Sequence, residues 1–211
     1  MIISLTLTDS IKTVEKNVNA AIAQAANDKI SGNISELISK TKDLVRRWVF
    51  IQPEIQSLLS SGAGSLIGYF GITKSSQEIV SAIINSVAES IEVKLIKYAA
   101  DLSGGLEIRF QPSSFVNLLA IPEGHTIYDT GDLHWLEWLL RRGDRIIVAN
   151  YQYNPVTGLG RSRLGVMVPG GSFRMPPQFS GTEDNNFITR ALLGKSQEKD
   201  IAEIMQKVLE K

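Results

Sequence analysis

Apolar and polar positions alternate along this chain in two distinct periods, one typical of strands and one typical of helices. Residues 2–8 alternate at every second position, which predicts a short strand near the start of the chain. Residues 11–27 repeat apolar side chains every three to four positions, which predicts a helix with one apolar face. Gly32 interrupts this pattern, and the apolar stripe that follows predicts a second helix ending near Trp48.

A stretch rich in serine and glycine, residues 60–65, has the composition of a linker. We therefore place a domain boundary at this stretch. Residues 1–60 are predicted to form a strand and a helical part, and residues 61–211 are predicted to form a larger α+β domain.

Helical and strand-like patterns alternate beyond this linker. Ser75 or Ser76 can cap a helix that runs to about residue 90. Period-two patterns predict hairpins at residues 91–112 and 145–175. We expect both hairpins to contribute to one small antiparallel sheet with helices packed on one face, and the N-terminal helices to form an extension of this α+β fold.

A predicted helix at residues 133–141 carries two tryptophans, Trp135 and Trp138. Asp132 stands immediately before it and is predicted to be its N-terminal cap. Trp135 aligns with the leucine stripe of this helix, whereas Trp138 lies about 60° away around the helix axis. We therefore predict that Trp135 is in the core and that Trp138 lies at or near a subunit contact.

The hairpin that follows contains an unusually long connection. The loop at residues 155–163 is long for a hairpin, and long ordered loops are usually functional, so we predict that it contacts a neighbouring protein. A strand is expected at residues 164–168, and Pro169-Gly170-Gly171 is expected to form a tight turn. The last helix of the chain is predicted to break or bend near Gly194.

Charge and composition narrow the possible functions. The chain has 22 basic and 22 acidic side chains, and this neutrality argues against a free-standing nucleic-acid binder. Cysteine is absent, which excludes disulfides and thiolate metal sites. No apolar run is long enough for a membrane span, and the N-terminus lacks the features of a signal peptide. A basic helix face, with Lys40, Lys42, Arg46 and Arg47, is either solvated or makes an electrostatic contact with a partner ring or DNA.

No group of residues has the spacing of a catalytic apparatus. The chain has two histidines as obvious candidate bases and lacks a Gly-x-Ser-x-Gly nucleophile elbow. The string GAGSLIG superficially resembles a dinucleotide-binding loop, but no strand precedes it and no lysine follows it. We therefore predict a protein that is not an enzyme, with no catalytic residues and no cofactor.

A metal site is also not predicted from the sequence. Asp129, Asp132, His134 and Glu137 are possible ligands, but several of them would have to converge on one ion. Asp132 is better explained as a helix cap, and His125 stands in a turn where a solvated histidine is expected. We therefore predict that no divalent metal is required.

A family resemblance rests on residues 129–193. Seven motifs follow one another in this segment: WLEWLL, a Gly-Asp turn, an apolar strand, SRLGVM, a Gly-Gly turn, FRMPPQFSGT and NNFITRAL. This order resembles the neck or tail-completion proteins of tailed bacteriophages, which are structural proteins of the head-to-tail junction. The resemblance extends over residues 64–210, and two details, Met175 before the two prolines and an inserted Gly-Leu-Gly before Ser162, differ from the pattern expected for that family.

The resemblance implies a structural role in the virion. We expect a non-enzymatic protein, assembled in the host cytoplasm, that forms a homo-oligomeric ring at the head–tail junction by head-to-tail contacts. Its expected partners are its own copies and other neck, connector or tail proteins, with passive contact to DNA in the channel and none to a membrane. A tail-terminator ring that caps the tail tube is the alternative in the same class, and a small hydrolase or a DNA-binding module are the alternatives in other classes.

The predicted interface residues are polar or aromatic positions of the same segment. Its arginines can bind phosphate groups of DNA or pair with carboxylates of a neighbouring subunit, and the neutral net charge favours pairing. The predicted interface set is Trp138, Arg161, Arg163, Arg174, Asn186 and Arg190.

Overall fold

The computed structural model describes residues 9–110, 114–128 and 131–210. Over these residues the fold is α+β, as predicted, with a long first helix and three small antiparallel sheets. The strand predicted at residues 2–8, the end of the first hairpin at residues 111–112, and Asp129 lie outside the described residues.

Eight α-helices and six strands are assigned in the described part of the chain. The helices are α1 (Ile11–Phe50), α2 (Pro53–Leu59), α3 (Leu66–Tyr69), α4 (Ser76–Glu89), α5 (Val116–Leu119), α6 (Trp135–Glu137), α7 (Phe187–Leu192) and α8 (Lys195–Leu209). The strands are β1 (Glu92–Ile96), β2 (Gly105–Arg109), β3 (Thr126–Tyr128), β4 (Gly131–Leu133), β5 (Ile146–Asn154) and β6 (Val166–Arg174). A π-helical segment, Trp138–Arg142, directly continues α6.

The first helix does not break at Gly32, so the prediction of two separate helices was wrong. A helical glycine costs about 1 kcal/mol relative to alanine, and that cost is too small to end a helix with good helix formers on both sides. The helix ends at Phe50, just before Pro53, which occupies the first turn of α2. Proline is tolerated there because the N–H it lacks would have no partner within the helix.

The two long hairpins do not form one sheet, which corrects the predicted architecture. Strand β1 pairs only with β2, and β5 pairs only with β6, among the residues that the structure describes. Within β6, Pro169-Gly170-Gly171 is not a turn. Gly170 and Gly171 have φ angles of 106° and 68°, and the pairing with β5 shifts register nearby, so the strand passes through an irregularity and continues to Arg174.

Asp132 is not a helix cap, which corrects a second prediction. It lies in β4, opposite Ile127 of β3, and α6 begins only at Trp135. Trp135 is fully buried as predicted, and its ring centroid lies 5.8 Å from that of Phe70. The π-helical segment ends at Gly143, whose φ of 65° suits glycine.

The chain divides into two compact units, but not at the predicted linker. The first unit comprises Met1–Lys40, Glu92–Arg109 and Ala202–Lys211, and the second comprises Thr41–Ile91 and Phe110–Ile201. The serine- and glycine-rich stretch at residues 60–65 lies inside the second unit, where Ser65 caps α3 by accepting a hydrogen bond from the Gly68 N–H.

The first unit is built around one apolar cluster. Ile30 and Leu37 of α1 and Val208 of α8 are its buried members, and Leu95 and Leu106 of the β1–β2 hairpin pack against it. Beside this cluster, against which Tyr98 also packs, the amide of Asn27 donates to the Tyr98 carbonyl at 3.0 Å and accepts from the Tyr98 N–H at 2.8 Å. This pair of bonds fixes α1 to the segment that follows β1.

The second unit contains most of the buried side chains. Its core combines apolar residues of α2, α3, α4, α6 and α7 with the π-helical segment. The largest fully buried side chains of this unit include Trp135, Phe70, Phe187, Ile79, Ile83, Leu118, Leu136 and Leu139. This core supports the β5–β6 hairpin and the short β3–β4 hairpin, which carry the candidate sites.

Candidate functional site

The β5–β6 hairpin exposes a long strand edge. Each strand has nine residues and, within residues 9–110, 114–128 and 131–210, no third strand pairs with either. Three apolar side chains of β5 are well exposed: Ile146 by 47%, Val148 by 42% and Tyr151 by 45%. Strand β6 contains Pro169, which has no N–H to donate, whereas β5 has no proline. The edge of β5 is therefore the one better suited to accept another strand.

Backbone hydrogen bonds cross the loop that joins these strands. The Gly158 N–H donates to the Arg163 carbonyl at 2.7 Å, and the Gly165 N–H donates to the Leu159 carbonyl at 3.2 Å. Arg163 adopts a left-handed conformation with φ 59°. Two apolar side chains, Val156 and Leu159, remain exposed by 36% and 52%. The loop is thus an ordered surface that presents apolar groups.

Arg161 fastens this loop to the β3–β4 hairpin. Its guanidinium carbon lies 4.8 Å from the centre of the Tyr128 ring, a cation–π arrangement. Its Nη1 also donates to the Ile127 carbonyl at 2.9 Å. Because the guanidinium is used inside its own chain, Arg161 has a structural role in addition to the partner contact predicted for it.

A cleft of about 510 Å³ opens beside this hairpin, a volume within the usual range of ligand pockets. Its wall is rich in aromatic residues, and Arg161 and Asp132 provide charged groups. The aromatic residues are Tyr69, Tyr128, Tyr151, Tyr153 and Phe173. An aromatic cleft with few charged groups suits an apolar or aromatic side chain better than a highly charged ligand.

Burial raises the pKa of three tyrosines of the cleft, Tyr69, Tyr128 and Tyr153. Burial raises the pKa of Tyr69 to about 12, against the opposing effect of a backbone hydrogen bond from Arg174. Burial also raises the pKa of Tyr128, although the Arg161 charge acts in the opposite direction, and it raises the pKa of Tyr153. These three hydroxyls, which are neutral at pH 7 even with an ordinary pKa, therefore stay protonated to a higher pH.

Two glycines make room for Tyr153. A Cβ atom at Gly165 would lie 2.3 Å from the Tyr153 ring, and one at Gly68 would lie 2.5 Å from its hydroxyl oxygen. That hydroxyl donates to the Leu164 carbonyl at 2.9 Å. The ring of Tyr153 therefore connects α3, β5 and the end of the loop.

A cluster of two histidines and one aspartate lies on the β3–β4 hairpin. His125 Nδ1 is 3.0 Å from Asp132 Oδ2, and His134 Nε2 is 3.3 Å from the same oxygen. The two imidazole rings stack with centroids 4.6 Å apart and planes 10° apart. His125 therefore has defined partners and does not simply face solvent as the sequence suggested.

Glu137 does not belong to this cluster, although the sequence placed it beside His134. Its carboxylate pairs with Arg141 at 2.6 Å and with Arg142 at 3.0 Å. Partial burial opposes ionisation, but the hydrogen bonds from Arg141 and Arg142 outweigh it and lower the pKa of Glu137. Glu137 is thus committed to an ion pair.

Two of the four basic side chains on the predicted helix face, Lys42 and Arg46, have acidic partners. Lys42 and Arg46 both pair with Glu89, and Arg46 pairs with Asp43 at 3.0 Å. The hydrogen bond from Lys42, and then the charges of Lys42 and Arg46, lower the pKa of Glu89. Arg141 and Arg142 are paired with Glu137 as described above. These pairs reduce the positive charge available to a phosphate backbone.

The predicted interface residues are spread over the second unit. Trp138 is half-buried, and Arg163 and Arg174 are exposed. Arg190 forms an ion pair with the buried carboxylate of Glu54. Asn186 differs from the others because it is fully buried and caps α7, so it offers no surface to a partner and its prediction as an interface residue is wrong.

Comparison with protein-family models, curated proteins and solved structures gives no match to this chain. Among the helices of the described ranges, none is both long and apolar enough to cross a membrane.

The sequence does not predict the histidine–aspartate cluster, because it places His134 in a helix at residues 133–141 and Asp132 at the N-terminal cap of that helix. In a strand, residues two positions apart point to the same face, so an extended Asp132-Leu133-His134 segment places the Asp132 and His134 side chains next to each other. The signal was present as the spacing Asp-x-His between a turn and an apolar run. His125 joins them only through strand pairing, which a helix assignment could not reveal.

Proposed function

We propose that this protein is a non-enzymatic structural component of a tailed-phage virion, a neck or tail-completion protein that forms a ring at the head–tail junction. The observation that supports this best is the edge of β5, which pairs with no third strand among the described residues and has three exposed apolar side chains and no proline. The order of motifs between residues 129 and 193 supports the placement at the head–tail junction.

An open strand edge of this length favours association with another chain. Isolated two-stranded hairpins are marginally stable in water, and natural proteins usually protect long apolar edges with charges, prolines or covering segments. Addition of a strand from a second chain would satisfy the free backbone groups and cover Val148 and Tyr151. If the added strand comes from a different surface of the next copy, the contact is head-to-tail and can close into a ring.

The ordered loop provides a second contact in this proposal. Val156 and Leu159 are exposed although the backbone around them is fixed by hydrogen bonds. A preformed loop loses little conformational entropy when it binds, so its apolar groups contribute more of their burial energy to association. The loop therefore acts with the β5 edge as the surface that a neighbouring subunit covers.

The proposed role of the β5 edge in assembly is tested by a charge substitution with a matched control. Val148→Lys places a charge on the β5 edge, whereas Val116→Lys makes the same change at an exposed position of α5, outside the hairpin. Sedimentation velocity and native mass spectrometry of the unmodified chain should show a closed ring of defined copy number. Val148→Lys should reduce it to monomer, and Val116→Lys should leave it intact.

A monomeric wild-type chain at high concentration, or equal loss of assembly in both variants, would contradict the proposed role of the edge. Deleting Val156 to Gly160 should likewise leave a folded monomer that does not assemble. Antibody labelling of purified virions then tests the position, since a neck protein lies at the head–tail junction. If the antibody labels no purified virion, the proposed role as a structural protein of the virion is wrong.

A further inference from the structure

We propose that His125, Asp132 and His134 form a binding site for a divalent transition-metal ion, of which Zn²⁺ fits the donor set best. The three side chains provide two imidazole nitrogens and one carboxylate oxygen, and their ligand atoms all lie within 4.8 Å of one another. This inference depends on the β3–β4 hairpin alone and is independent of the proposed role in the virion.

Strand pairing is what brings the three residues together. Thr126 of β3 lies opposite Leu133 of β4, so the next position outward places His125 opposite His134. Residues directly opposite each other in an antiparallel pair have their side chains on the same face. Asp132 is two residues before His134 and points to that face as well. All three side chains therefore emerge on one side of the hairpin.

Two of the three ligand–ligand distances lie close to the edges of a metal coordination shell. Zinc bonds to histidine nitrogen and carboxylate oxygen are about 2.0–2.2 Å long, so tetrahedral ligands lie about 3.3–3.6 Å apart. The distances from Asp132 Oδ2 to His125 Nδ1 and His134 Nε2 are 3.0 and 3.3 Å. An ion can thus be accommodated with displacements of a few tenths of an ångström for these two edges.

The histidine rings must turn for coordination. A metal ion lies in the plane of each imidazole that binds it, and two rings only 10° from parallel do not share such a point. Rotation of one ring about its Cβ–Cγ bond makes the planes meet. The side chains of His125, Asp132 and His134 are 26%, 38% and 52% exposed, so solvent borders the cluster and leaves room for this movement.

The donor set determines the class of ion. Imidazole ligands favour zinc, copper, nickel and cobalt, whereas calcium and magnesium prefer sites made of oxygen atoms. Three protein ligands leave at least one coordination position for water or for a group from another molecule. Asp132 also lines the aromatic cleft, so a group bound in that cleft is within reach of the same side of the hairpin.

The test uses a chain without a polyhistidine tag, because His125 and His134 are the two histidines of the sequence. Titration with Co²⁺ should give visible absorption bands of the intensity typical of four-coordinate cobalt, saturating at one ion per chain. Zn²⁺ should displace cobalt and remove the bands. Mg²⁺ in large excess should have no effect.

Ligand variants identify the site. His125→Gln, His134→Gln and Asp132→Asn should each weaken Zn²⁺ binding at least about tenfold, since loss of a partner that only orients a ligand already costs 10–100-fold. Asp144→Asn, at an exposed carboxylate outside the cluster, should leave the affinity unchanged. Circular dichroism in the presence of a chelator should show that all four variants are folded.

A second measurement uses the wild-type chain alone. In proton–nitrogen spectra, the ring signals of both histidines should move together and reach their end points at one equivalent of Zn²⁺. If one histidine or neither responds, or if the His125 and His134 variants bind Zn²⁺ as tightly as the wild-type chain, the proposed site is wrong.

Discussion

Asn186 provides the sharpest test of structure against sequence, because the sequence predicted an interface residue and the structure shows a buried helix cap. Its Oδ1 accepts hydrogen bonds from the Ile188 and Thr189 N–H groups, both at 3.0 Å. Its Nδ2 donates to the carbonyls of Leu140 and Thr182 at 3.2 and 2.8 Å. The side chain thus joins α7 to the π-helical segment and to the loop before the helix.

Asn186→Ala removes all of these bonds. Loss of an N-terminal cap costs about 1 kcal/mol, and each buried polar group left without a partner costs about 1–3 kcal/mol. Since some of the freed groups can reach water after small movements, we expect a loss of about 2–4 kcal/mol in the free energy of unfolding. For a chain of this length that corresponds to a fall of roughly 5–15 °C in melting temperature.

Asn186→Ser is the matched control. Its hydroxyl oxygen can still cap the helix, but it cannot reproduce both donations of the amide, so it should recover about 1 kcal/mol relative to alanine. Thermal unfolding followed by circular dichroism measures stability, and sedimentation velocity of the same samples measures self-association. If Asn186→Ala melts like the wild-type chain but associates less, Asn186 acts at an interface and the assignment as a buried cap is wrong.

Three further predictions follow from the second unit. Trp135→Ala should cost about 3–5 kcal/mol because Trp135 is fully buried, whereas Trp138→Ala should fold and associate poorly; equal destabilisation in thermal unfolding would place both residues in the core. Because the folded-state pKa of Glu137 is lowered from 4.5, its ion pairs stabilise the protein above that pH and the contribution is lost as pH falls. Glu137→Gln should therefore destabilise the protein at about pH 7, and this effect should shrink as the pH falls through the lowered folded-state pKa of Glu137; parallel pH profiles of the two proteins in urea unfolding would contradict this. Gly165→Ala should destabilise the hairpin by about 1–3 kcal/mol through contact with the Tyr153 ring, and Tyr153→Leu should relieve the effect; an unchanged melting temperature for Gly165→Ala would refute the close contact.

Several elements were predictable because their causes are local. Helix α4 begins where Ser75 accepts a hydrogen bond from the Glu78 N–H, and its apolar face shows the helical period. The β1–β2 hairpin alternates at every second residue. Gly194, with φ 149°, separates α7 from α8 at the predicted break. In each case neighbouring residues contain the whole signal.

Other features of the fold were not predictable from local patterns. Gly32 and the Pro169-Gly170-Gly171 string are breakers by propensity, yet α1 and β6 continue through them. Propensities of about 1 kcal/mol per residue are overridden when the surrounding segment is stabilised by packing or pairing. Asparagine is usually a surface residue. The burial of Asn186 depends on a hydrogen bond from its amide to the Leu140 carbonyl, 46 positions away in the sequence.

The sequence by itself determined the α+β class, the position of most helices, the burial of Trp135 and the absence of thiol chemistry. These depend on composition and on periods of two or 3.6 residues, which are readable along the chain. Only the tertiary structure decided that the long hairpins belong to separate sheets, that no third strand among the described residues pairs with β5, and that His125 meets Asp132 and His134. Those outcomes depend on which segments pair across the fold, and pairing is set by the energy of the whole packed unit.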